Sequence, residues 1–106
     1  MVNRGDIWLV ALDPTLGREI RKSRPCVVIS PPEMHNALRT AMVAPMTTKR
    51  HAAPFRIPVM HARKRGLILL DQIRAIDKVR LVRRVGALPD ETLARLLATL
   101  REVFAV

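Results

Sequence analysis

Between positions 18 and 24 one carboxylate, Glu19, stands among four bases, Arg18, Arg21, Lys22 and Arg24. That mixture suits chemistry at a phosphodiester. A carboxylate can take a proton from a nucleophilic hydroxyl, and a guanidinium offers a fork of donors to two phosphate oxygens. The same cations also lower a carboxyl pKa and weaken it as a base, so Glu19 can equally serve to position Arg24. A Glu19–Arg24 ion pair with no chemistry is the third reading of these charges. Other chemistries lack their parts. His35, His51 and His61 are scattered, and Cys26 is the one cysteine, so no metal-ligand spacing is visible. Four glycines form no phosphate-cradling loop. A two-histidine mechanism would need His51 and His61 to meet in space. Cys26 lies in a Val-rich run and reads as a buried thiol, and His35 reads as a surface residue.

The elements that must position these groups follow from periodicity and turn residues. Residues 7–12 are apolar on both faces and predict a buried strand, with Trp8 as core rather than as a base-stacking surface. Asp13-Pro14 and Gly17 predict a turn, and residues 25–30 predict the strand that leaves it. On that strand Arg24, Cys26, Val28 and Ser30 share a face. Residues 33–39 predict a short helical turn. Residues 40–47 predict a strand, with Pro45 pointing to an edge or a bulge beside Thr47. A polar basic loop with Lys49 and Arg50 follows. Pro54 and Pro58 predict that residues 55–60 form an edge strand, and residues 61–66 a basic turn. Residues 67–70 are a buried run. Across residues 71–77 alternation puts Gln72 and Arg74 on one face and Asp71 and Ile73 on the other. Asp71 and Asp77 can each support the fold by pairing with Arg74 or Lys78. Residues 79–85 predict a last strand. Pro89-Asp90-Glu91 opens a helix whose apolar face is Leu93, Leu96, Leu97, Leu100, Val103 and Phe104. Many short strands and one closing helix predict a mainly β fold, a small barrel or strongly curved sheet.

At 106 residues the chain reads as one domain, 1–106, and its modest core makes dimerisation a natural source of stability. No apolar run has the length of a membrane span, the N-terminus carries Arg4 and Asp6 where an export signal needs an apolar stretch, and a lone cysteine agrees with a reducing cytoplasm. The net charge is +10. Residues 18–84 hold 16 bases against four acids, and the two ends hold three against five, so the middle of the chain carries the field. Such a distribution attracts polyanions: RNA, DNA or an acidic protein segment. With only three aromatics, Trp8, Phe55 and Phe104, backbone contacts and hydrogen bonds must dominate any nucleic-acid recognition.

Three stretches carry a resemblance. Arg4-Gly5-Asp6-Ile7-Trp8 continues through Leu12-Asp13-Pro14-Thr15, Gly17 and Glu19 to Arg24-Pro25 and Val27-Val28-Ile29-Ser30. Val43-Ala44-Pro45-Met46-Thr47-Thr48 follows, then Leu70-Asp71-Gln72-Ile73-Arg74-Ala75-Ile76-Asp77. In this order they resemble the MazF/PemK family of bacterial toxin endoribonucleases over nearly the whole chain. The resemblance implies an SH3-like barrel of MazF/PemK/CcdB type, a curved antiparallel sheet with a C-terminal amphipathic helix, usually as a cytoplasmic homodimer. It implies sequence-specific cleavage of single-stranded RNA without metal or other cofactor, leaving a 2′,3′-cyclic phosphate and a 5′-hydroxyl, and an acidic cognate antitoxin as partner. It assigns Arg24, Thr47 and Glu19 to the active site and places Asp71, Gln72 and Arg74 near bound RNA, with Arg18, Lys22, Lys49 and Arg50 as further RNA-binding residues. Two positions depart from the pattern: Ile20 follows Glu19 where many members have Gln, and Leu69 stands where one branch has a base near its Asp. Two other readings stay open: a non-enzymatic gyrase inhibitor of CcdB type on the same barrel, and a basic RNA-binding module.

Overall fold

A computed structural model describes residues 1–12 and 23–106. Seven strands form one curled antiparallel sheet: β1 (Asp6–Ala11), β2 (Ser23–Val28), β3 (Thr40–Thr47), β4 (Arg56–His61), β5 (Lys64–Leu69), β6 (Arg74–Asp77) and β7 (Leu81–Ala87). A single helical turn, α1 (Pro32–His35), follows β2, and the helix α2 (Asp90–Val103) closes the chain. The strand order is β4-β5-β3-β2-β1-β7, with β6 also paired to β3. This is the curved sheet with a C-terminal helix that the sequence predicts.

The sheet buries both faces. Ile7, Val27, Ile29, Ala44, Ile57 and Ile68 point to the side covered by α2, whose Leu96 is fully buried, with Leu93, Leu97 and Leu100 around it. Val10, Cys26, Val28, Val43, Leu69 and Ile76 fill the opposite side, with Trp8 and Leu81 packed against them. The period-two alternation of β2 therefore sends Cys26 and Val28 to one core and Val27 to the other. Leu96 and its neighbours explain the spacing of α2. Phe104 lies one residue beyond the helix and is 68% exposed, so it does not share the packed face expected of it.

β3 is the middle of the sheet, not an edge. β2 takes one side of it through Cys26↔Pro45, Val27↔Ala44 and Val28↔Val43. β6 and β5 divide the other side, at residues 40–43 and 46–47. Pro45 falls at the change of partner, where a missing N–H interrupts no ladder bond on that side. β4 is an edge strand, as its Pro58 requires.

The β4–β5 turn is tighter than expected. His61 pairs with Lys64, so the connection is Ala62-Arg63 alone. Both residues have positive φ, 51° and 64°, as a primed two-residue turn demands. Neither is Gly or Asn, and a left-handed backbone costs an ordinary residue about 1–2 kcal/mol. The tip is therefore held under strain. The far edges of the sheet approach each other at this hairpin: a Cβ on Gly86 of β7 would lie 3.5 Å from His61 Cε1.

Two buried polar groups were not apparent in the sequence. Asp6 accepts from the Asn3 N–H (2.9 Å), the Trp8 indole N–H (3.4 Å) and Arg84 Nε (3.1 Å), joining β1 to β7. His35, expected at the surface, is fully buried. Its Nε2–H donates to the Val2 carbonyl (2.9 Å), because a carbonyl can only accept. Nδ1 is hydrogen-bonded to the Ser30 hydroxyl (2.9 Å), whose oxygen accepts from the Met42 N–H (3.2 Å). Lys78 Nζ donates to the His35 carbonyl. The α1 turn is thereby fastened to β3 and to the N-terminus. Ser30→Ala leaves the His35 ring and the Met42 amide without this partner. The expected loss is about 2 kcal/mol, read by urea unfolding, because buried unsatisfied groups each cost about 1–3 kcal/mol. An unchanged midpoint would contradict the network.

Candidate active site

Arg24 and Thr47 meet because of the β2–β3 register. The two strands run antiparallel through Cys26↔Pro45, and Arg24 and Thr47 each stand two residues further along on the same face. On its other side Arg24 pairs with Val10 of β1. Both residues line a cleft of about 310 Å³ whose remaining wall is Thr48 and the strained hairpin, with His61, Lys64 and Gly66.

The polar groups in this cleft are under-used. Arg24 Nε is buried and has no hydrogen-bond partner among the described residues. Buried donors are rarely left so, and an orphan guanidinium N–H in a cleft is a ready partner for an anion. The Thr47 hydroxyl oxygen accepts from the Lys49 N–H (3.2 Å), which leaves its own O–H proton for a donor role. Gly66 is what lets the hairpin close on Thr47: a Cβ there would stand 2.9 Å from the Thr47 carbonyl oxygen.

Cys26 sits between β1 and β3 on the Arg24 face and is fully buried. Burial pushes its thiol up to about 12, outweighing the opposite pull of the Arg74 charge. A thiol held protonated is no nucleophile. Arg74 is half-buried and shares the Val43 and Cys26 face, as its pairing with Val43 requires.

The remaining predicted residues divide. Glu19, Arg18 and Lys22 lie outside the described residues. Lys49 is exposed beside Thr47, and Arg50 is half-buried in the same loop. Asp71, Gln72 and Arg74 do not line the Arg24–Thr47 cleft. Nor does simple alternation hold for them: Asp71 and Gln72 lie in a 3₁₀ turn, Leu70–Gln72, and only Arg74 begins a strand. Asp71 pairs with neither Arg74 nor Lys78. It takes both arms of a fork from Arg56, Nε to Oδ1 at 3.1 Å and NH2 to Oδ2 at 3.0 Å. The third arm of Arg56 donates to the His51 carbonyl (2.9 Å), tying the basic loop to the turn. Asp77 instead accepts from the Val79 N–H (3.1 Å). Sequence reasoning passed over Arg56 and gave no role to Lys64. Arg56 had a signal: Asp71 is the one acid between Glu33 and Asp77. Among the described residues no three His, Cys, Asp or Glu side chains converge as metal ligands. No helix among them is long and apolar enough to cross a membrane.

Residues 3–104 match the family described as PemK-like, MazF-like toxin of type II toxin–antitoxin system. The chain belongs to this family. Endoribonuclease PemK of Escherichia coli is 32% identical over 108 residues, covering 96% of this chain and 81% of that protein. Endoribonuclease toxin ChpB of Escherichia coli K12 is 36% identical over 109 residues, covering 94% and 91%. MazF from Deinococcus radiodurans superposes with a TM-score of 0.84 over 99% of this chain and 97% of that one, at 21% identity, and so shares the fold. In this MazF-like chain the Asp-Gln-x-Arg element is thus braced from β4, by Arg56, and not from position 69.

The Arg56 hydrogen bonds hold the Asp71 carboxyl below its ordinary 3.8, against the opposing effect of its partial burial. A carboxyl depressed in the folded state stabilises fully above its unfolded pKa, and that contribution is lost as pH falls through the folded one. Asp71→Asn should therefore lower the melting temperature by a constant, small amount from pH 8 to pH 5. The difference should close as pH falls below about 4. A difference that persists unchanged into acid would contradict the ion pair.

Proposed function

We propose that the chain is a sequence-specific, metal-independent endoribonuclease toxin that cleaves single-stranded RNA and is neutralised by a cognate antitoxin. One observation carries the reading: the buried Arg24 Nε, without a partner among the described residues, shares a cleft with Thr47. A phosphate in that cleft would accept from the Arg24 fork and from Thr47. Charge building on the phosphorus oxygens during attack would be met by donors already in place, the largest usual contribution to such catalysis. Glu19 takes the proton of the attacking 2′-hydroxyl. The products are a 2′,3′-cyclic phosphate and a 5′-hydroxyl, the outcome when the adjacent hydroxyl is the nucleophile.

Around this centre Arg18, Lys22, Lys49 and Arg50 bind the RNA backbone, and Asp71, Gln72 and Arg74 contact bases or phosphates beside it. The Arg56 clamp supports that division, since it fixes the Asp71 turn and the basic loop relative to each other. The field of a +10 chain suits an acidic antitoxin segment that orders on binding. Relatives support this partner: a mycobacterial endoribonuclease seen in complex with its cognate antitoxin has a TM-score of 0.80 with this chain, over 96% of it and 93% of the relative, at 16% identity. The chain acts as a single-domain homodimer in the cytoplasm. Clustered cations around an Arg24 Nε with no partner among the described residues favour cleavage over inhibition of gyrase.

Cleavage of a long mixed-sequence RNA in EDTA, with protein freed of antitoxin, tests this. Wild type should give discrete cuts with 5′-hydroxyl ends, and Arg24→Ala should lower the rate by at least about 100-fold while binding falls far less. Intact RNA with folded wild type, or gyrase trapped on DNA, would overturn the reading. RNA bound by wild type but left uncut, with the variant showing only weaker, salt-dependent affinity, would leave an RNA-binding module.

A further inference from the structure

We propose that His61 is a catalytic residue, the acid that protonates the leaving 5′-oxygen. The inference rests on the ribonuclease reading and adds the proton donor that it lacks. Arg24 does not fill that role, because a guanidinium does not release its proton at neutral pH. A lysine ammonium such as that of Lys64 is a poor donor for the same reason, and a threonine hydroxyl offers a hydrogen bond but does not give up its proton at neutral pH. Imidazole is the side-chain type whose ordinary titration lies nearest neutrality, where a group can give up a proton and recover it within a turnover. His61 is the one such group lining the cleft with Arg24 and Thr47.

Three features of the fold deliver it there. The two-residue turn of Ala62 and Arg63 fixes His61 as the last residue of β4, paired with Lys64. Both turn residues are held at positive φ without being Gly or Asn. Strain of this kind gathers at functional sites, where the surrounding structure sustains it. Gly66 then allows the hairpin to lie directly on the Thr47 backbone. On the other side the ring packs against Gly86 of β7, which brings no charge to it. His35 and His51 are not alternatives, since His35 is buried in its own network and His51 is outside the cleft.

In the step, the 2′-oxygen bonds to phosphorus and its proton passes to Glu19. The P–O5′ bond breaks, its electron pair goes to O5′, and the imidazolium proton of His61 follows it there. Exchange with water returns a proton to His61 and removes one from Glu19, so the enzyme is unchanged.

A sulfur leaving group needs no protonation, which gives a test that a structural role does not pass. An RNA found to be cut by wild type is made twice, once with the ordinary bridging oxygen and once with sulfur at the 5′-bridging position of the cut. His61→Gln and His61→Asn are each assayed on both, after melting curves show that they fold. The expected result is at least about a 100-fold loss on the oxygen substrate and less than about a 5-fold loss on the sulfur substrate, for whichever variants fold. Equal losses on both substrates, or no loss on either, overturn the assignment. If folded wild type cuts no RNA, so that no such substrate is found, the ribonuclease reading itself is overturned, a separable outcome.

Discussion

The pairing of β2 with β3 is the contact on which the rest of the structure depends. It lies in the middle of the sheet, flanked by β1 on one side and by β5 and β6 on the other. Its residues fill both cores: Val27 and Ala44 face α2, and Cys26, Val28 and Val43 face the opposite side. A slip of one residue would exchange these two sets, so the register is strongly specified. Arg24 and Thr47 extend the same register past the last paired residues, Cys26 and Pro45. Their meeting is thus a consequence of packing elsewhere, and the Arg24 Nε can be left buried without a partner among the described residues because a well-packed sheet holds it there.

The charges fall into two kinds with different tasks. Structural ones are satisfied within the chain. Asp6 holds Arg84, Asp71 holds Arg56, and Lys78 caps the carbonyl of His35. The ion pairs are partly exposed and contribute little to stability individually. Their value is positional: Arg56 ties a strand, a turn and a basic loop with one side chain. The second kind, Arg24 and Lys64, lines a cleft without an acid from the described residues to neutralise it. An excess of cations there attracts a phosphate from a distance and leaves donors ready for it.

The strands and the final helix were legible because apolar alternation and helical spacing are local signals. The bounds of β3 follow from them directly, and so does Arg24 on the Cys26 face. What was hidden depends on distant partners. His35 looks like a surface residue until Val2, 33 positions away, and Ser30 are seen to close around it. Pro45 suggested an edge or a bulge, and the interior position of β3 is intelligible only once two strands are seen to share its other side. Arg56 and Asp71 lie 15 residues apart and meet through the β4–β5 pairing. The Ala62-Arg63 turn carries neither of the residues that mark such turns, so the placing of His61 in the cleft could not be read in advance.

The central claim is that the buried Arg24 Nε–H is kept for a phosphate of the RNA. Nitrogen-15 spectra of the arginine side chains during titration with a single-stranded RNA carrying 2′-O-methyl groups, which cannot be cleaved, test it directly. The account predicts that the Arg24 Nε–H resonance shifts and its exchange with water slows as RNA binds. The exposed Arg95 of α2 should stay unmoved as an internal reference. RNA that binds while the Arg24 resonance and its exchange remain unchanged would contradict the account.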